Sequence, residues 1–412
     1  MVLDFTGRII QFINCRILYK GELIKEDFWV RDGIILNPEK VFYTEREAAH
    51  LKIDCKNLII SPGFIDVQIN GGFGFDFSSD VSRIEEARSV VSKELLQHGV
   101  TSYCPTIVTS PPEVYKQVLP YLKPRSGGKH GAEILGAHLE GPFISKEKKG
   151  AHDINYIKSE VESLTTIEDV YGSLDDVSII TVAPELSGMM EVLPKLVKKN
   201  ISVSIGHSVS DVVKAETAFQ NGASFITHLF NAMLPFHHRD PGIVGLLTSA
   251  LIPKSAFYGM IADGIHTHPT SLRIAYRTHP KGIVLVTDAI VALGLPPGIH
   301  KLGTMDVEIF DKDARILGTN TLAGSICSMD NCVRHFKKGA GCTTVEALEA
   351  ATLHPAQLLG IETEKGTLDY NSAADFIFLS DDLRVQATFI AGLPVYVNND
   401  EVQRELSEKN YL

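Results

Sequence analysis

The feature that most constrains the fold is a series of eight short apolar segments that alternate with helical patterns through the middle of the chain. Apolar runs of this length, bounded by turn residues, are typical of buried strands. The segments lie at residues 64–70, 100–104, 134–138, 177–182, 201–205, 224–228, 257–262 and 283–287. Eight parallel strands with helices between them predict an α/β fold, a (β/α)8 TIM-type barrel whose active site lies at the C-terminal ends of the strands.

The stretches between these strands carry helical periodicity. Residues 83–98 place Ile84 and Val91 on one apolar face. Gly99 follows them, and glycine is a favoured residue just beyond the end of a helix. A second helix is expected to begin with Ser210 as its N-cap.

The two ends of the chain have a different texture from the middle. Residues 1–60 and residues 366–412 show short alternating segments separated by turn residues, which is typical of antiparallel strands. We expect the two ends to pair in one sheet structure. The predicted organisation is therefore a discontinuous β domain of residues 1–60 and 366–412 around a barrel domain of residues 61–365.

Composition limits the partners and the compartment. The formal net charge of -11 disfavours nucleic acids and anionic membranes, which repel an acidic protein. The six cysteines show no CxxC pair, which indicates neither a structural zinc site nor a disulfide framework. The N-terminus has no leader pattern and no stretch approaches the ~18 apolar residues of a membrane span, so we expect a cytoplasmic protein.

Titratable residues stand at the predicted C-terminal ends of several barrel strands. Glu140 follows the third strand, His207 the fifth and His228 the sixth. A single histidine at the end of an apolar run is more often a structural residue than a ligand. Here two histidines end neighbouring strands and a carboxylate ends a third strand. This combination matches the two-histidine, one-carboxylate ligand set of a catalytic zinc site, in which the fourth coordination position stays open.

Nine motifs, in order along nearly the whole chain, resemble those of the N-acetylglucosamine-6-phosphate deacetylases of the amidohydrolase superfamily. They are residues 64–72 (FIDVQINGG), 138–143 (HLEGPF), 149–152 (KGAH), 206–208 (GHS), 228–233 (HLFNAM), 239–242 (RDPG), 262–266 (ADGIH), 286–289 (VTDA) and 322–325 (LAGS). The resemblance implies a barrel with a β-sandwich built from both termini. It also implies a homodimer in which one subunit helps to bind the phosphate in its neighbour's site.

The resemblance assigns roles to individual positions. Glu140, His207 and His228 would hold one divalent metal ion, and Asp288 would act first as general base and then as general acid. Contacts to an amino-sugar phosphate are implied for Ala151, His152, Asn231, Ala232, His266, Leu322, Ala323 and Gly324, and Arg239 would reach the phosphate across the dimer interface.

One departure from the wider superfamily concerns the first strand. The usual His-x-His is replaced here by Gln68 and Asn70, so the second metal of the binuclear relatives has lost its ligands and a mononuclear site is expected. Two histidines and a carboxylate suit zinc best, with cobalt, iron or manganese as alternatives.

Amide hydrolysis requires a strong nucleophile, proton transfer and stabilisation of an oxyanion, and the metal ligands, the aspartate and the histidine described above can supply them. A bound divalent ion lowers the pKa of its water from about 15.7 to about 7. Asp288 at the edge of the metal site can take a proton and return it to the departing amine, whereas a structural interpretation makes it a helix N-cap. His266 can donate a hydrogen bond to the acetyl oxygen as that oxygen becomes anionic.

The residue chemistry indicates metal-dependent amide hydrolysis, and the resemblance implies the substrate: conversion of N-acetylglucosamine 6-phosphate to glucosamine 6-phosphate and acetate. Two alternatives remain open: a deacetylase of another acetamido sugar phosphate, and a non-catalytic scaffold with the amidohydrolase fold.

Two further features of the sequence contain histidines outside the predicted site. His268 is taken as structural or surface, and the loop of His237, His238 and Arg239 is either a solvated basic rim or a site for a small dianion.

Overall fold

The computed structural model describes residues 5–78, 80–253, 256–302, 305–310 and 313–412. The strands of this part of the chain are, in order, β1 (Ile10–Ile13), β2 (Arg16–Tyr19), β3 (Glu22–Ile24), β4 (Phe28–Arg31), β5 (Ile34–Ile35), β6 (Leu51–Asp54), β7 (Ile59–Pro62), β8 (Phe64–Ile69), β9 (Gly71–Gly72), β10 (Phe75–Asp76), β11 (Val100–Val108), β12 (Glu133–Ile134), β13 (Ala137–Glu140), β14 (Val177–Val182), β15 (Ser202–Ile205), β16 (Phe225–Ile226), β17 (Phe257–Ile261), β18 (Ile283–Val286), β19 (Gly298–Leu302), β20 (Met305–Phe310), β21 (Asp313–Ile316), β22 (Phe376–Leu379), β23 (Val385–Ile390) and β24 (Leu393–Val397). The α-helices are α1 (Ile84–Leu95), α2 (Pro112–Val118), α3 (Leu164–Tyr171), α4 (Met189–Val197), α5 (Val212–Gln220), α6 (Pro269–Thr278), α7 (Met329–Phe336), α8 (Thr344–Glu349), α9 (Leu353–Leu359) and α10 (Asp400–Glu408).

The middle of the chain forms the predicted parallel barrel. Eight strands pair side by side in the order β8, β11, β13, β14, β15, β16, β17 and β18. The last strand returns to the first without a regular ladder, through Thr287 Oγ1 donating to Asp66 Oδ2 at 2.6 Å and Asp288 N donating to Gln68 O at 2.9 Å. The ring is therefore nearly closed, and the predicted fold class is confirmed.

Two predicted strands differ from the structure in ways that affect the site. The predicted third strand, 134–138, is two pieces, because Gly136 lies at φ 118° between β12 and β13. Its second piece ends at Glu140, so this carboxylate belongs to a barrel strand. The second strand, β11, continues to Val108, beyond the predicted end at residue 104.

Strands from both ends of the chain form the predicted sheet structure. A six-stranded sheet has the order β24-β23-β22-β7-β2-β3, and a four-stranded sheet has the order β5-β4-β1-β6. The N-terminal strand β7 pairs antiparallel with the C-terminal strand β22. Phe12, Phe376 and Phe389 pack in the core between the sheets with ring centroids 4.5–5.7 Å apart. The exact division of the chain at residues 60 and 366 stays a prediction.

The helix predicted over residues 83–98 forms with its expected face inward. Ile84, Val91 and Leu95 of α1 are buried, and each such side chain contributes about 1.5–3 kcal/mol when removed from water. Gly99 ends the segment at φ 75°. The next predicted N-cap is off by one residue: Asp211, whose carboxylate accepts from Lys214 N at 2.8 Å, caps α5 in place of Ser210.

An antiparallel sheet that the sequence did not predict lies between β18 and α7. Its three strands are β19, β20 and β21. The chain leaves this sheet through Ala323, whose N–H donates to Ala314 O at 3.0 Å, and Ser325, whose N–H donates to Asp288 O at 2.8 Å. The inserted sheet therefore leads directly into the barrel rim. Among the described helices, none is both long enough and apolar enough to cross a bilayer.

Candidate active site

A cavity of about 160 Å³ opens at the C-terminal ends of the barrel strands. It gathers nearly all of the residues predicted for the site. Its lining includes Glu140, Ala151, His152, His207, His228, Asn231, Ala232, His266, Asp288, Leu322 and Gly324. Two predicted residues are not part of the lining: Ala323 is fully buried behind its neighbours in the turn, and Arg239 lies exposed on a loop.

Glu140, His207 and His228 converge at the centre of this cavity. The Nε2 atoms of the two histidines lie 3.0 Å apart, and each lies 3.2 Å from Oε1 of Glu140. All three residues are at most 4% exposed. Three nitrogen and oxygen ligand atoms within 3.2 Å of one another, supplied by three different strand ends, match the donor set of a divalent cation.

The ring of His207 is oriented for ligation. Its Nδ1 lies 2.8 Å from the carbonyl oxygen of Lys148, which can only accept, so Nδ1 carries the proton and the neutral ring has its lone pair on Nε2. Burial alone would raise the pKa of Glu140, but the ring nitrogens of His207 and His228, each 3.2 Å from its Oε1, outweigh burial and hold that pKa well below its usual value. The carboxylate is therefore ionised.

His152 belongs to an overlapping group but has different chemistry. A ring nitrogen of His152 lies within 4.8 Å of ligand atoms of Glu140 and His207, and its ring is 4.5 Å from that of His207. Its Nδ1 accepts from the backbone N–H of Thr109 at 3.2 Å, and burial together with the nearby His207 lowers its pKa to about 3. A neutral ring with Nδ1 occupied carries its proton on Nε2. Because neither nitrogen then offers a free lone pair, His228 is the better third ligand.

Asp288 stands beside the cation-ligand set, at the end of the eighth strand. Its Oδ1 accepts from Asn70 Nδ2 at 2.8 Å and from Gln68 Nε2 at 3.4 Å. Burial, followed by the negative charge of Glu140, raises the pKa of Asp288 to about 6. A carboxyl group with a pKa in this range exchanges protons readily near neutral pH.

The two amides of the first barrel strand, Gln68 and Asn70, act as donors. Gln68 Nε2 also donates to Glu140 Oε1 at 2.9 Å, so the two carboxylates are linked through one amide. The amide oxygens of Gln68 and Asn70 are buried without a hydrogen-bond partner among the described residues. The –NH2 groups, not the oxygens, therefore face the carboxylates.

His266 is held by a carboxylate of its own loop. Its Nδ1 lies 2.6 Å from Asp263 Oδ2, and Asp263 Oδ1 accepts from the backbone N–H groups of Ile265 and His266, each at 2.9 Å. Burial alone would raise the pKa of Asp263, but the hydrogen bond from His266 lowers it overall. His266 consequently presents Nε2 to the cavity.

Several site residues have an unusual backbone conformation. His207, His228 and Asp288 lie at φ 47°, 28° and 47°, in the left-handed region that side chains other than glycine rarely adopt. Each such residue costs on the order of 1–3 kcal/mol and persists where the surroundings enforce it, often at functional sites. The sharp turn after each strand directs these side chains into the cavity.

The loops around the cavity are tied to one another. Asn231 Nδ2 donates to the carbonyl oxygens of His228 and Leu229, both at 3.3 Å. The carbonyl oxygen of Ala232 accepts from Ser208 N at 3.1 Å. The lining residues that the sequence reasoning did not assign to the site are Asn70, Val108, Gly150, Ile261 and Ile290.

Three polar residues near the site have structural roles. Glu185 accepts from Ser208 Oγ at 2.6 Å and from Val209 N at 2.8 Å, which clamps the loop that follows His207. His138 is fully buried, with Nδ1 on the carbonyl oxygen of Val67 and Nε2 on Thr181 Oγ1. His268 is exposed, as the sequence interpretation expected, and the structure shows that it also caps α6.

Comparison with known proteins agrees with this architecture. The profile of the Amidohydrolase family matches residues 59–395. The human N-acetylglucosamine-6-phosphate deacetylase is 58% identical over 389 residues, which cover 94% of this chain and 95% of that protein. An N-acetylgalactosamine-6-phosphate deacetylase of Escherichia coli O157:H7 is 32% identical over 91% of this chain and 98% of that protein. The crystal structure of N-acetylglucosamine-6-phosphate deacetylase from Pasteurella multocida has a TM-score of 0.83 at 28% identity, covering 95% of this chain and 100% of that chain.

Proposed function

The chain belongs to the amidohydrolase family, and we propose that it hydrolyses N-acetylglucosamine 6-phosphate to glucosamine 6-phosphate and acetate. The observation that carries the proposal is the convergence of Glu140, His207 and His228 beside Asp288 in one cavity. Relatives at 56–58% identity that carry the name of this deacetylase support the choice of substrate.

Glu140, His207 and His228 would hold one divalent ion per subunit, and zinc suits these ligands best. When bound, such an ion supplies a water of lowered pKa and polarises a carbonyl oxygen. A single ion is favoured because Gln68 and Asn70 turn –NH2 donors towards the carboxylates, where a second cation would need lone pairs.

Asp288 would move the proton in this reaction. Its carboxylate takes a proton from the attacking water and later gives it to the nitrogen of the leaving amine. The pKa of about 6, set first by burial and then by Glu140, suits both transfers. Asn70 holds the carboxylate in position through its 2.8 Å hydrogen bond.

His152 would bind the acetyl oxygen. Its Nε2–H is a donor, and the residue lies within 4.8 Å of ligand atoms of Glu140 and His207, next to the place where the amide must react. A donor aimed at a developing oxyanion is worth about 2.7–4 kcal/mol. This proposal gives His152 the contact with the acetyl oxygen that the sequence analysis expected of His266. It leaves His266, with Ala151, Asn231, Ala232 and the turn of residues 322–324, to contact the sugar and its phosphate.

The two alternatives have unequal support. The relative named as an N-acetylgalactosamine-6-phosphate deacetylase keeps an epimeric substrate open, because the two sugars differ at one carbon. The scaffold alternative is disfavoured by the intact set of Glu140, His207, His228 and Asp288.

We expect purified protein to release acetate from N-acetylglucosamine 6-phosphate, to lose this activity on chelation and to regain it when zinc is added. Parallel assays with cobalt, iron and manganese identify the preferred metal, and N-acetylgalactosamine 6-phosphate tests the epimer preference. No acetate from the first substrate under any metal would contradict the proposed function. A higher kcat/KM for the second substrate would select the epimeric alternative.

The proposal extends to a cytoplasmic homodimer in which Arg239 reaches the phosphate bound by the partner subunit. Arg239 is exposed in a loop that also exposes Phe236, with 63% of that residue accessible. An exposed aromatic residue beside an arginine is typical of protein interfaces. Arginine also matches a phosphate group with paired N–H donors.

For Arg239→Ala, we expect the KM for the phosphorylated sugar to rise at least about tenfold, because a charge-assisted hydrogen bond contributes about 1.5–3 kcal/mol. The KM for unphosphorylated N-acetylglucosamine should change little. The matched control is Arg404→Ala, which removes an exposed arginine from α10. Equal effects on both sugars, or a wild-type protein that sediments as a monomer at assay concentrations, would contradict the assignment.

A further inference from the structure

Thr109, the residue after β11, makes two contacts with one atom of His152. Its backbone N–H lies 3.2 Å from Nδ1 and its Oγ1 lies 2.7 Å from the same Nδ1. A backbone N–H can only donate, so Nδ1 must be an acceptor. The hydroxyl, whose hydrogen is free to rotate, then donates to Nδ1 as well.

This double contact determines which ring nitrogen of His152 can donate a hydrogen bond. A neutral imidazole carries one proton, and with Nδ1 accepting from Thr109 that proton belongs to Nε2. His152 is 4% exposed and its ring lies 4.5 Å from that of His207. The donor face of His152 is therefore directed by a residue that does not line the cavity.

The Thr109 hydroxyl lies close against the backbone of Gly141. Gly141, which directly follows Glu140, lies at φ 83°, and a Cβ added there would come within 2.2 Å of Thr109 Oγ1. The hydroxyl thus occupies the space that any side chain at residue 141 would need. Thr109 is 5% exposed, so water does not compete freely for Nδ1.

We propose that Thr109 is a positioning residue for the deacetylation: it fixes the tautomer and the orientation of His152 so that Nε2–H points at the acetyl oxygen. The role in catalysis rests on the proposed function. The tautomer itself does not, because it follows from the contacts between Thr109 and His152 alone.

The test compares Thr109→Val, which replaces the hydroxyl by a methyl group, with Thr109→Ser, which keeps the hydroxyl. Both variants keep the backbone N–H, so the comparison measures what the hydroxyl contributes to the orientation of His152. We expect the valine variant to lose about 10-fold to 100-fold in kcat, the range associated with misplacing a catalytic group, with KM and metal content unchanged. The serine variant should retain most of the wild-type kcat. In a His152→Ala background, Thr109→Val should have no further effect, because the two residues act as one unit. Thr109→Ala gives the same comparison if the valine variant does not fold.

A second readout needs no turnover. In ¹⁵N spectra of histidine-labelled holoenzyme, His152 should show a protonated Nε2 and an unprotonated Nδ1. A protonated Nδ1 would overturn the proposal, and so would unchanged kcat in a folded Thr109→Val or Thr109→Ala variant. If wild-type protein released no acetate, the proposed function would fail, while the ¹⁵N spectrum would still decide the tautomer.

Discussion

Asp288→Asn is expected to lower kcat by about 10²-fold to 10⁴-fold, the usual contribution of a positioned acid–base group. Asparagine cannot take a proton from water at neutral pH. Its oxygen can still accept from Asn70 Nδ2, the 2.8 Å contact that holds the aspartate. The loss should therefore fall on kcat, with small changes in KM and in metal content.

The backbone favours this variant as a clean probe. Residue 288 lies at φ 47°, a conformation that asparagine adopts more readily than most residues, so the thermal midpoint should stay close to that of the wild type. The control is Asp211→Asn, which makes the same change at the N-cap of α5, where asparagine caps as well as aspartate. It should keep full activity.

Two results would contradict the acid–base role of Asp288. A kcat within about threefold of the wild type would mean that another group carries the proton. A parallel loss of metal and activity would mean that Asp288 acts mainly as a ligand. Turnover, metal analysis and thermal melting on the same preparation separate these cases.

The barrel and the place of its site could be predicted because both depend on local patterns. Short apolar runs define the strands, and parallel strands bring their C-terminal ends to one rim. Glu140, His207 and His228 could therefore be expected to lie close together from the sequence alone. The lengths of β11 and β13 were less predictable, because Val108 and Glu140 extend strands past polar residues that resemble turns.

Other features of the site depend on contacts that no local pattern encodes. The left-handed backbone at His207 and His228 follows from the turn that each strand end must make, and neither residue is a glycine that would signal it. The tautomer of His207 depends on the Lys148 carbonyl oxygen, 59 positions away. The donor direction of Gln68 depends on two carboxylates from other strands. Arg239 is a further case, because its predicted role requires a second subunit.

The inserted sheet was missed for a different reason. Residues 298–316 alternate polar and apolar side chains, as in Val307, Glu308 and Ile309, but they lie in a stretch where a barrel pattern predicts only a loop and a helix. The expected alternation of strand and helix in the barrel was given more weight than the polar–apolar alternation of these residues, which indicates strands. The turn of residues 322–324, which borders the cavity, is delivered by this sheet.

His207→Ala is expected to reduce metal affinity by more than about 10²-fold and to reduce activity with it. Even residues that only support a metal ligand are worth about 10-fold to 100-fold in affinity, and His207 is a proposed ligand itself. Removing it leaves one histidine and one carboxylate, a set that does not hold a catalytic divalent ion firmly. Metal analysis after dialysis against a weak chelator measures the affinity directly.

The thermal midpoint of unfolding tests the same prediction without an activity assay. Metal that binds only the folded state raises the thermal midpoint by mass action, so added zinc should stabilise the wild type and leave His207→Ala almost unchanged. The control is His268→Ala, which removes an exposed histidine that caps α6 and should retain the metal response. Full metal occupancy in His207→Ala would remove this residue from the ligand set.

His152→Ala, analysed in the same way, separates the two overlapping groups of possible ligands. If His152 is a donor, as its contacts with Thr109 indicate, this variant should keep its metal and lose kcat. Loss of metal from His152→Ala, with retention in His228→Ala, would instead place the ion among Glu140, His152 and His207. One ring nitrogen of His152 would then have to offer its lone pair to the ion, and that result would contradict the assignment of His152 as a donor through Nε2–H.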